Sequence, residues 1–356
     1  MKSVLTLLVI LSLNTVSAQN LKIMTYNLLA WSQPNEDGRT VQMQKIFSAI
    51  NPDVVVMQEV VEEAAINTLR TSLNNRSYSM MEYKDNNDTE CSCFYDPSLF
   101  APISAKFIPT SLRDISVYNL LELKTQDTFR IYAAHFKAAD NEATQRAEEA
   151  QLMYDDLFQY MERPKTHIIA AGDFNIYSPQ EQAYITLAGA RALPTLYDHQ
   201  GIWVRNSTNY LTHYTQATRV NGDGNCGGGV GGGIDDRFDY VLVSESLKDR
   251  VLKYVNFGND GKNRLNSSID NPQNEVYGDE MAQALRCASD HLPVYIELSS
   301  SITSVVDNTF NDTDIISDAV KYFDVLGNII QEENINNHKL ILKLRGEKLE
   351  KIIKLN

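Results

Sequence analysis

The chain has 356 residues, 43% of them hydrophobic, which suits one large domain with a substantial core plus a smaller appendage and excludes a wholly disordered chain. A formal net charge of −14 argues against a protein that holds nucleic acid by a broad basic surface, because such binding rests on neutralising phosphates. It does not exclude an enzyme that grips one phosphate through a metal.

Met1 to Ala18 carries Lys2, an apolar run from Val4 to Leu13, and Val16-Ser17-Ala18 before Gln19, the pattern of a secretory signal peptide. The run is too short for a membrane span, and nothing downstream approaches the ~20 uninterrupted apolar residues a transmembrane helix needs. The expectation is an exported, monomeric, soluble chain. Export permits disulfides among Cys91, Cys93, Cys226 and Cys287, which can pair in three ways. Cys91 and Cys93 are too close to bridge without strain, and Cys226 with Cys287 is the favoured pair. A Cys-x-Cys metal site lacks a second pair of ligands at suitable spacing.

Leu21 to Tyr26 predicts a strand ending at Asn27, and Arg39 to Ile50 an amphipathic helix stopped by Asn51-Pro52. Asp53 to Met57 predicts a buried strand ending at Gln58-Glu59, followed by a helix over about 62–73. Alternating segments near 78–83, 91–95, 100–108 and 117–123 predict antiparallel sheet. Phe129 to His135 is a strand, and Glu142 to Met161 the longest helix. His167-Ile-Ile-Ala-Ala-Gly-Asp-Phe-Asn175 reads as a buried strand delivering two polar residues at its C-terminal end. Alternation aims Asp173 and Asn175 one way and Phe174 the other, into packing.

Pro179 to Ala188 predicts a helix, and Leu193 to Arg219 is irregular. Asn221 to Gly233 is dominated by Gly and reads as a loop. Asn221, Asp223 and Asn225 alternate like calcium ligands, but Cys226 stands where the turn Gly belongs and Gly232 where the closing Glu belongs, so structural Ca2+ is the weaker expectation. Strands follow at 238–243 and 293–298, with a short helix at 281–288. The polar linker 299–303 leads to a separate β module at 304–356, with strands at 320–325, 340–344 and 352–355.

Six polar positions at strand ends share one syntax: Asn27, Glu59, His135, Asp173 with Asn175, Asp239, and Asp290 with His291. Carboxylates, carboxamides and imidazoles in this mixture suit metal-assisted attack of water on a phosphate ester. Magnesium takes carboxylate oxygens and waters, for which Glu59 and Asp290, helped by Asn27, suffice.

Met24-Thr25-Tyr26-Asn27, Gln58-Glu59, His135-Phe136-Lys137, Gly172-Asp173-Phe174-Asn175, Arg237-Phe238-Asp239-Tyr240 and Ser289-Asp290-His291-Leu292-Pro293 resemble, in order, the signatures of the endonuclease/exonuclease/phosphatase superfamily. The resemblance spans about Leu21 to Leu298. It implies a four-layered α/β sandwich of two central mixed β-sheets flanked by helices, and a Mg2+- or Mn2+-dependent phosphoesterase. It implies that Glu59, Asn27 and Asp290 serve the metal and that Asp173 and Asn175 activate water or hold the phosphate. His135 and His291 flank that phosphate, and Asp239 fixes the tautomer of His291.

Leu29 and His135 depart from the DNA-repair branch, and the pattern is nearer to the DNase-I-like and sphingomyelinase-like branches. Extracellular endonuclease is therefore the favoured activity. A lipid or sugar phosphodiesterase, which would need an exposed apolar edge near Trp31, and a catalytically silent surface-binding protein are the alternatives. His213 is singled out as a residue that could line the substrate site. Arg237 either holds a substrate phosphate or pairs with Asp235 or Asp236. The tail, with Tyr322 to Asn328 and Lys351 to Leu355, resembles the C-terminal sorting domain of the Bacteroidetes type IX secretion system, which implies that machinery as a partner and a secreted or cell-surface location.

Overall fold

The computed structural model describes residues 20–299, apart from 33–37, 74–75, 87–88, 190–194, 222–225, 227 and 263–264, together with short strands between 320 and 353. The signal segment, linker residues 300–303, Asp223 and Asn225 of the calcium-like loop, and the tail's Gly327-Asn328 and Gly346 lie outside the described residues. The chain divides into the units Met1–Ile302 and Thr303–Asn356.

In chain order the first unit contains β1 (Leu21–Trp31), α1 (Arg39–Ile50), β2 (Val54–Val60), α2 (Glu63–Ser72), β3 (Ser79–Met80), β4 (Glu90–Tyr95), β5 (Phe100–Ile108), β6 (Ile115–Glu122) and β7 (Thr128–His135). There follow α3 (Ala143–Leu157), β8 (Thr166–Asp173), α4 (Gln182–Ala188), β9 (Asp239–Val243), α5 (Glu245–Lys248), β10 (Val251–Asn256), α6 (Gly278–Ala288) and β11 (Val294–Leu298). The strands form two mixed sheets, ordered β10-β11-β1-β2-β4-β3 and β5-β6-β7-β8-β9. Only β1 with β2 and β7 with β8 are parallel pairs; every other neighbour in these sheets is antiparallel. In the second unit, β12 (Val320–Phe323), β13 (Ile329–Ile330), β14 (Leu340–Arg345) and β15 (Lys348–Ile353) form a sheet ordered β13-β12-β14-β15.

The period of two along each strand sorts side chains between two cores. Ile23, Val54, Val56, Ile131, Ala133, Ile169, Ala171, Val241 and Ile296 meet in one cluster, drawn from the facing surfaces of both sheets. Met24, Tyr26, Val55, Met57, Tyr132, Ala134, Ile168 and Ala170 fall in the other, with Met43 and Phe47 of α1, Met153 of α3 and Leu285 of α6. Helices thus cover the outer faces and the sheets pack on each other, giving the four-layered α/β sandwich.

Some elements differ from expectation. The long helix stops at Leu157 and tightens into a 3-10 turn over Phe158–Tyr160, and the 78–83 segment keeps only Ser79–Met80 as strand. β10 carries no clean alternation because it is an edge strand, with Leu252 half exposed and a register shift against β11. Cys226 and Cys287 form a disulfide, while Cys91 and Cys93 are free and buried on β4. Residues two apart on a strand point the same way, and burial pushes both thiols upward, so this pair is core and not a metal clasp.

Candidate active site

The same alternation that builds the inner core aims a polar row along one edge. Asn27 follows Ile23 and Thr25, His135 follows Ile131 and Ala133, and Asp173 follows Ile169 and Ala171; each continues the face that lies between the sheets. Register places His135 of β7 beside Asp173 of β8, and Asp173 beside Asp239 of β9. Because β9 and β11 run against their neighbours, it is the beginnings of these strands, at Asp239 and just after Asp290-His291, that reach this edge. Phe174 turns away and stacks on Phe136 and Tyr240, with ring centroids 4.9 and 5.6 Å apart.

Gly172 explains the Gly-Asp in the motif. A Cβ there would lie 2.0 Å from the Ala134 carbonyl oxygen, so no other residue lets β8 approach β7 this closely. Glu59 and Asn175 hold φ of 59° and 48°, conformations uncommon outside glycine that bend their side chains off the strand direction.

Asp173 is the hub. Its Oδ2 accepts from Asn27 Nδ2 at 3.0 Å and lies 3.6 Å from His135 Nε2 and 3.5 Å from His291 Nε2; Oδ1 accepts from the Asn175 backbone N–H at 3.0 Å. Asn27 also donates to Glu59 Oε1 at 3.0 Å, while the Ala30 N–H donates to Glu59 Oε2 at 2.8 Å. His291 Nδ1 stands 2.8 Å from Asp239 Oδ2. Asp290 Oδ2 accepts from the Val230 N–H at 2.7 Å, and Gly229 leaves no room for a side chain there, since its Cβ would come within 2.6 Å of the carboxylate.

Burial sets the protonation pattern. Desolvation raises the Asp173 carboxyl to about 7; His291 and the Asn27 hydrogen bond pull it down, whereas Asp239 and Glu59 push it up. For His291, burial acts downward, but Asp239, Asp173 and Asp290 together raise it well above an ordinary imidazole. His135 goes the other way, held well below its usual value by burial, Arg113 and His291. The site therefore carries one imidazolium, one neutral imidazole, and one carboxyl that changes charge near neutrality.

Ligand atoms of Asp173, Asp239 and His291 lie within 4.8 Å of one another, a grouping able to hold a divalent ion. Two carboxylate oxygens at this edge, Asp239 Oδ1 and Asp290 Oδ1, are buried without a hydrogen-bond partner, so the donor set fits a hard cation. Since His291 Nδ1 is engaged by Asp239, the oxygens of Glu59 and Asp290 are the better match to magnesium or manganese.

Asn27, Glu59, His135, Asp173, Asn175, Asp239, Asp290 and His291 all stand along this edge; the two substrate-binding assignments do not hold. Arg237 is fully buried, its Nη1 and Nη2 each 2.8 Å from Asp198 oxygens and its Nη1 2.8 Å from the Gly201 carbonyl, so it is a core ion pair, and neither Asp235 nor Asp236 is its partner. Asp236 pairs with Arg205 instead. The ring nitrogens of His213 meet the Gln200 carbonyl at 3.1 Å and Thr212 Oγ1 at 3.5 Å, and its ring packs edge-on to Tyr210. None of these belongs to the cluster.

Residues beside the expected ones do reach the site. Gln216, three positions after His213, puts its amide nitrogen 2.6 Å from His291 Nε2. Thr215 Oγ1 accepts from the Phe238 and Asp239 N–H groups at 3.2 and 3.3 Å, and Ser289 Oγ donates to the Asn27 carbonyl at 2.7 Å. Arg113 approaches the His135 carbonyl at 3.4 Å. Ser289 was legible from its place beside Asp290-His291; nothing in the local pattern singles out Gln216 or Arg113.

The sequence model of the Endonuclease/Exonuclease/phosphatase family matches residues 24–291. Among curated proteins no sequence relative was found. The fold is shared with a humanized D. rerio TDP2 at 17% identity, covering 79% of this chain and 99% of that one with a TM-score of 0.55. It is shared also with D. rerio TDP2 complexed with a single-strand DNA product, at 17% identity, 78% and 98% coverage and TM-score 0.55. A mannosyl-6-phosphatase of Bacteroides thetaiotaomicron matches at 16% identity, 78% and 99% coverage and TM-score 0.52. With its strand-end signatures in order and the family match running through the whole site, this chain belongs to the endonuclease/exonuclease/phosphatase family and is a hydrolase of phosphate esters.

Proposed function

We propose that the protein is an exported, monomeric, Mg2+- or Mn2+-dependent phosphodiesterase acting on nucleic acid as an extracellular endonuclease. The observation that carries the reading is the hub at Asp173, with one oxygen at 3.0 Å from Asn27, 3.6 Å from His135 and 3.5 Å from His291. Glu59 and Asp290 would hold the ion, with Asn27 orienting Glu59 through its 3.0 Å hydrogen bond. An ion held there would supply Lewis-acid polarisation of the phosphoryl oxygens and offset of the charge that develops on them.

This chain's own groups do the rest. Asp173, with a pKa of about 7, is matched to taking the proton of an attacking water near neutrality. His291, kept cationic by Asp239, stabilises negative charge on the phosphate from one side. His135 is neutral and flanks it from the other. Asn175 steadies Asp173 through its backbone N–H and is itself anchored by its amide to the Phe136 carbonyl at 3.1 Å.

The lipid alternative is weakened because Trp31 is only 1% exposed, with the Arg39 guanidinium 4.9 Å from its ring centroid. No aromatic edge faces solvent at that position. A second reading, a sugar-phosphate phosphatase, draws support from the acidity of the chain, which suits a small substrate held through a metal better than a long polyanion. Hydrolysis of DNA, RNA, sphingomyelin, a sugar phosphate and bis-p-nitrophenyl phosphate, each with magnesium and with EDTA, separates these readings. Cleavage of DNA or RNA alone supports ours, and cleavage of the sugar phosphate alone overturns it in favour of the second.

Export through the signal segment and type IX sorting by the tail complete the proposal; among the described residues no helix is long and apolar enough to cross a membrane. Removing residues 304–356 should leave the enzyme inside a type IX-competent host cell. Unchanged appearance of the truncated chain in the medium would reject the sorting role.

A further inference from the structure

The segment Thr215-Gln216-Ala217-Thr218 is clamped from two sides. The Gln216 N–H donates to the Asp236 carbonyl at 3.1 Å, and the Gln216 carbonyl accepts from the Asp235 and Asp236 N–H groups, both at 3.0 Å. On the other side the Leu292 N–H donates to the Thr215 carbonyl at 2.8 Å and the Thr218 N–H to the Asp290 carbonyl at 2.9 Å. The backbone of Gln216 is thus stitched between the approach to β9, which carries Asp239, and the approach to β11, which carries Asp290 and His291. Its side chain, 7% exposed, has little freedom to swing away.

That side chain ends on two site residues at once. Its Nε2 lies 2.6 Å from His291 Nε2 and 3.3 Å from Asp290 Oδ2. A primary amide carries N–H donors and a carbonyl acceptor at one terminus, so one end of this side chain can donate to the Asp290 carboxylate and also engage the N–H of a protonated His291 ring. His291 is then held at both ring nitrogens, by Asp239 on Nδ1 and by Gln216 on Nε2. Asp290 is likewise held on one oxygen by Gln216 and the Val230 N–H, leaving Oδ1 without a hydrogen-bond partner.

We infer that Gln216 is a positioning residue for the hydrolytic reaction, an amide that sets the His291 ring plane and the Asp290 carboxylate relative to each other. The inference rests on the hydrolase reading of this site. Gln216 acts through its two neighbours and not on the phosphate, so its loss lowers the rate of the chemical step more than substrate binding. Filling a gap between buried polar groups is the competing role, and a residue that only fills space is replaceable by a side chain of similar volume without donors.

Gln216→Met keeps most of the volume and removes the amide, Gln216→Ala removes both volume and amide, and Gln216→Asn keeps the amide one carbon short. With bis-p-nitrophenyl phosphate and magnesium, Gln216→Met and Gln216→Ala should lose about 10- to 100-fold in kcat with KM within about twofold of wild type, and Gln216→Asn should recover part of the loss. Thermal melts establish that each variant is folded. In protein labelled with 15N-histidine, with His291 assigned by its absence in His291→Ala, the Nε2 resonance of His291 should move in folded Gln216→Met. A Gln216→Met enzyme with wild-type kcat, a change confined to KM, or an unmoved His291 resonance each overturns the inference. Should the wild-type protein hydrolyse no phosphate ester, the hydrolase reading fails by itself, and the His291 resonance still decides whether Gln216 holds the ring.

Discussion

His291 Nδ1 and Asp239 Oδ2 lie 2.8 Å apart with both side chains buried, one from the approach to β11 and the other from the start of β9. The pair joins the two sheets and holds the imidazole in one orientation with its charge compensated. Replacing Asp239 with Asn keeps the shape but removes the charge that raises His291. Asp239→Asn should lower kcat by about 100-fold or more, and His291→Ala should abolish measurable turnover of bis-p-nitrophenyl phosphate. Unaltered turnover in His291→Ala would show that the chemistry lies elsewhere.

A rise in activity with pH follows from Asp173. With a carboxyl raised to about 7 by burial, the basic form is scarce below neutrality and grows as pH passes through that value. The kcat/KM profile should climb across this window, and Asp173→Asn should flatten it at a level near background. A profile that falls between pH 6 and 8, on the order of one unit either side of that carboxyl, contradicts the assignment.

The same shift has a cost in stability. A carboxyl whose folded pKa is raised resists ionisation in the native state, so its penalty is absent below the ordinary carboxylate range, grows as pH rises from there to about 7, and is constant above that value. Asp173→Asn should therefore melt higher than wild type at pH 8, on the order of 1–2 kcal/mol, with the advantage gone near pH 4. Paired thermal melts at the two pH values measure it.

Removing metal should silence the enzyme reversibly. EDTA should stop hydrolysis, and magnesium or manganese should restore it. Glu59→Gln should raise the magnesium concentration needed for half-maximal activity by about tenfold or more, because a carboxamide is a poorer ligand for a hard cation. Titration calorimetry with magnesium reads the same change without turnover.

Two structural residues give contrasting controls. Gly172→Ala places a Cβ against the Ala134 carbonyl and should destabilise the fold by about 3 kcal/mol, the upper end for overpacking. Arg237→Ala strands Asp198, which is buried and paired bidentately with it, and should cost about 3–5 kcal/mol. Denaturant midpoints read both. Folded Arg237→Ala protein should keep the wild-type KM, as expected of a core ion pair.

Much of the site is legible in the sequence because its residues lie at ends of strands whose apolar alternation is strong. Where a strand reads Ile-Ile-Ala-Ala-Gly-Asp, parity alone states that Asp173 shares a face with Ala171 and Ile169. Period and punctuation likewise mark Asn27, Glu59 and His135. Arg237 shows the limit: next to Asp235, Asp236 and Asp239 in sequence, it pairs with Asp198, a residue nothing local marks as its partner.

By itself the sequence determined which residues could face the space between two sheets, because side-chain direction along a strand is a local property. Only the tertiary structure decided which of them meet. The parallel β7–β8 and antiparallel β8–β9 pairings bring His135, Asp173 and Asp239 into one row, and the packing of the second sheet on the first sets Asn27 and His291 against Asp173. The irregular stretch that suggested His213 delivers Gln216 instead, since hydrogen bonds to Asp235, Asp236 and the strands' approaches, made across long sequence separations, choose which of its side chains turns inward.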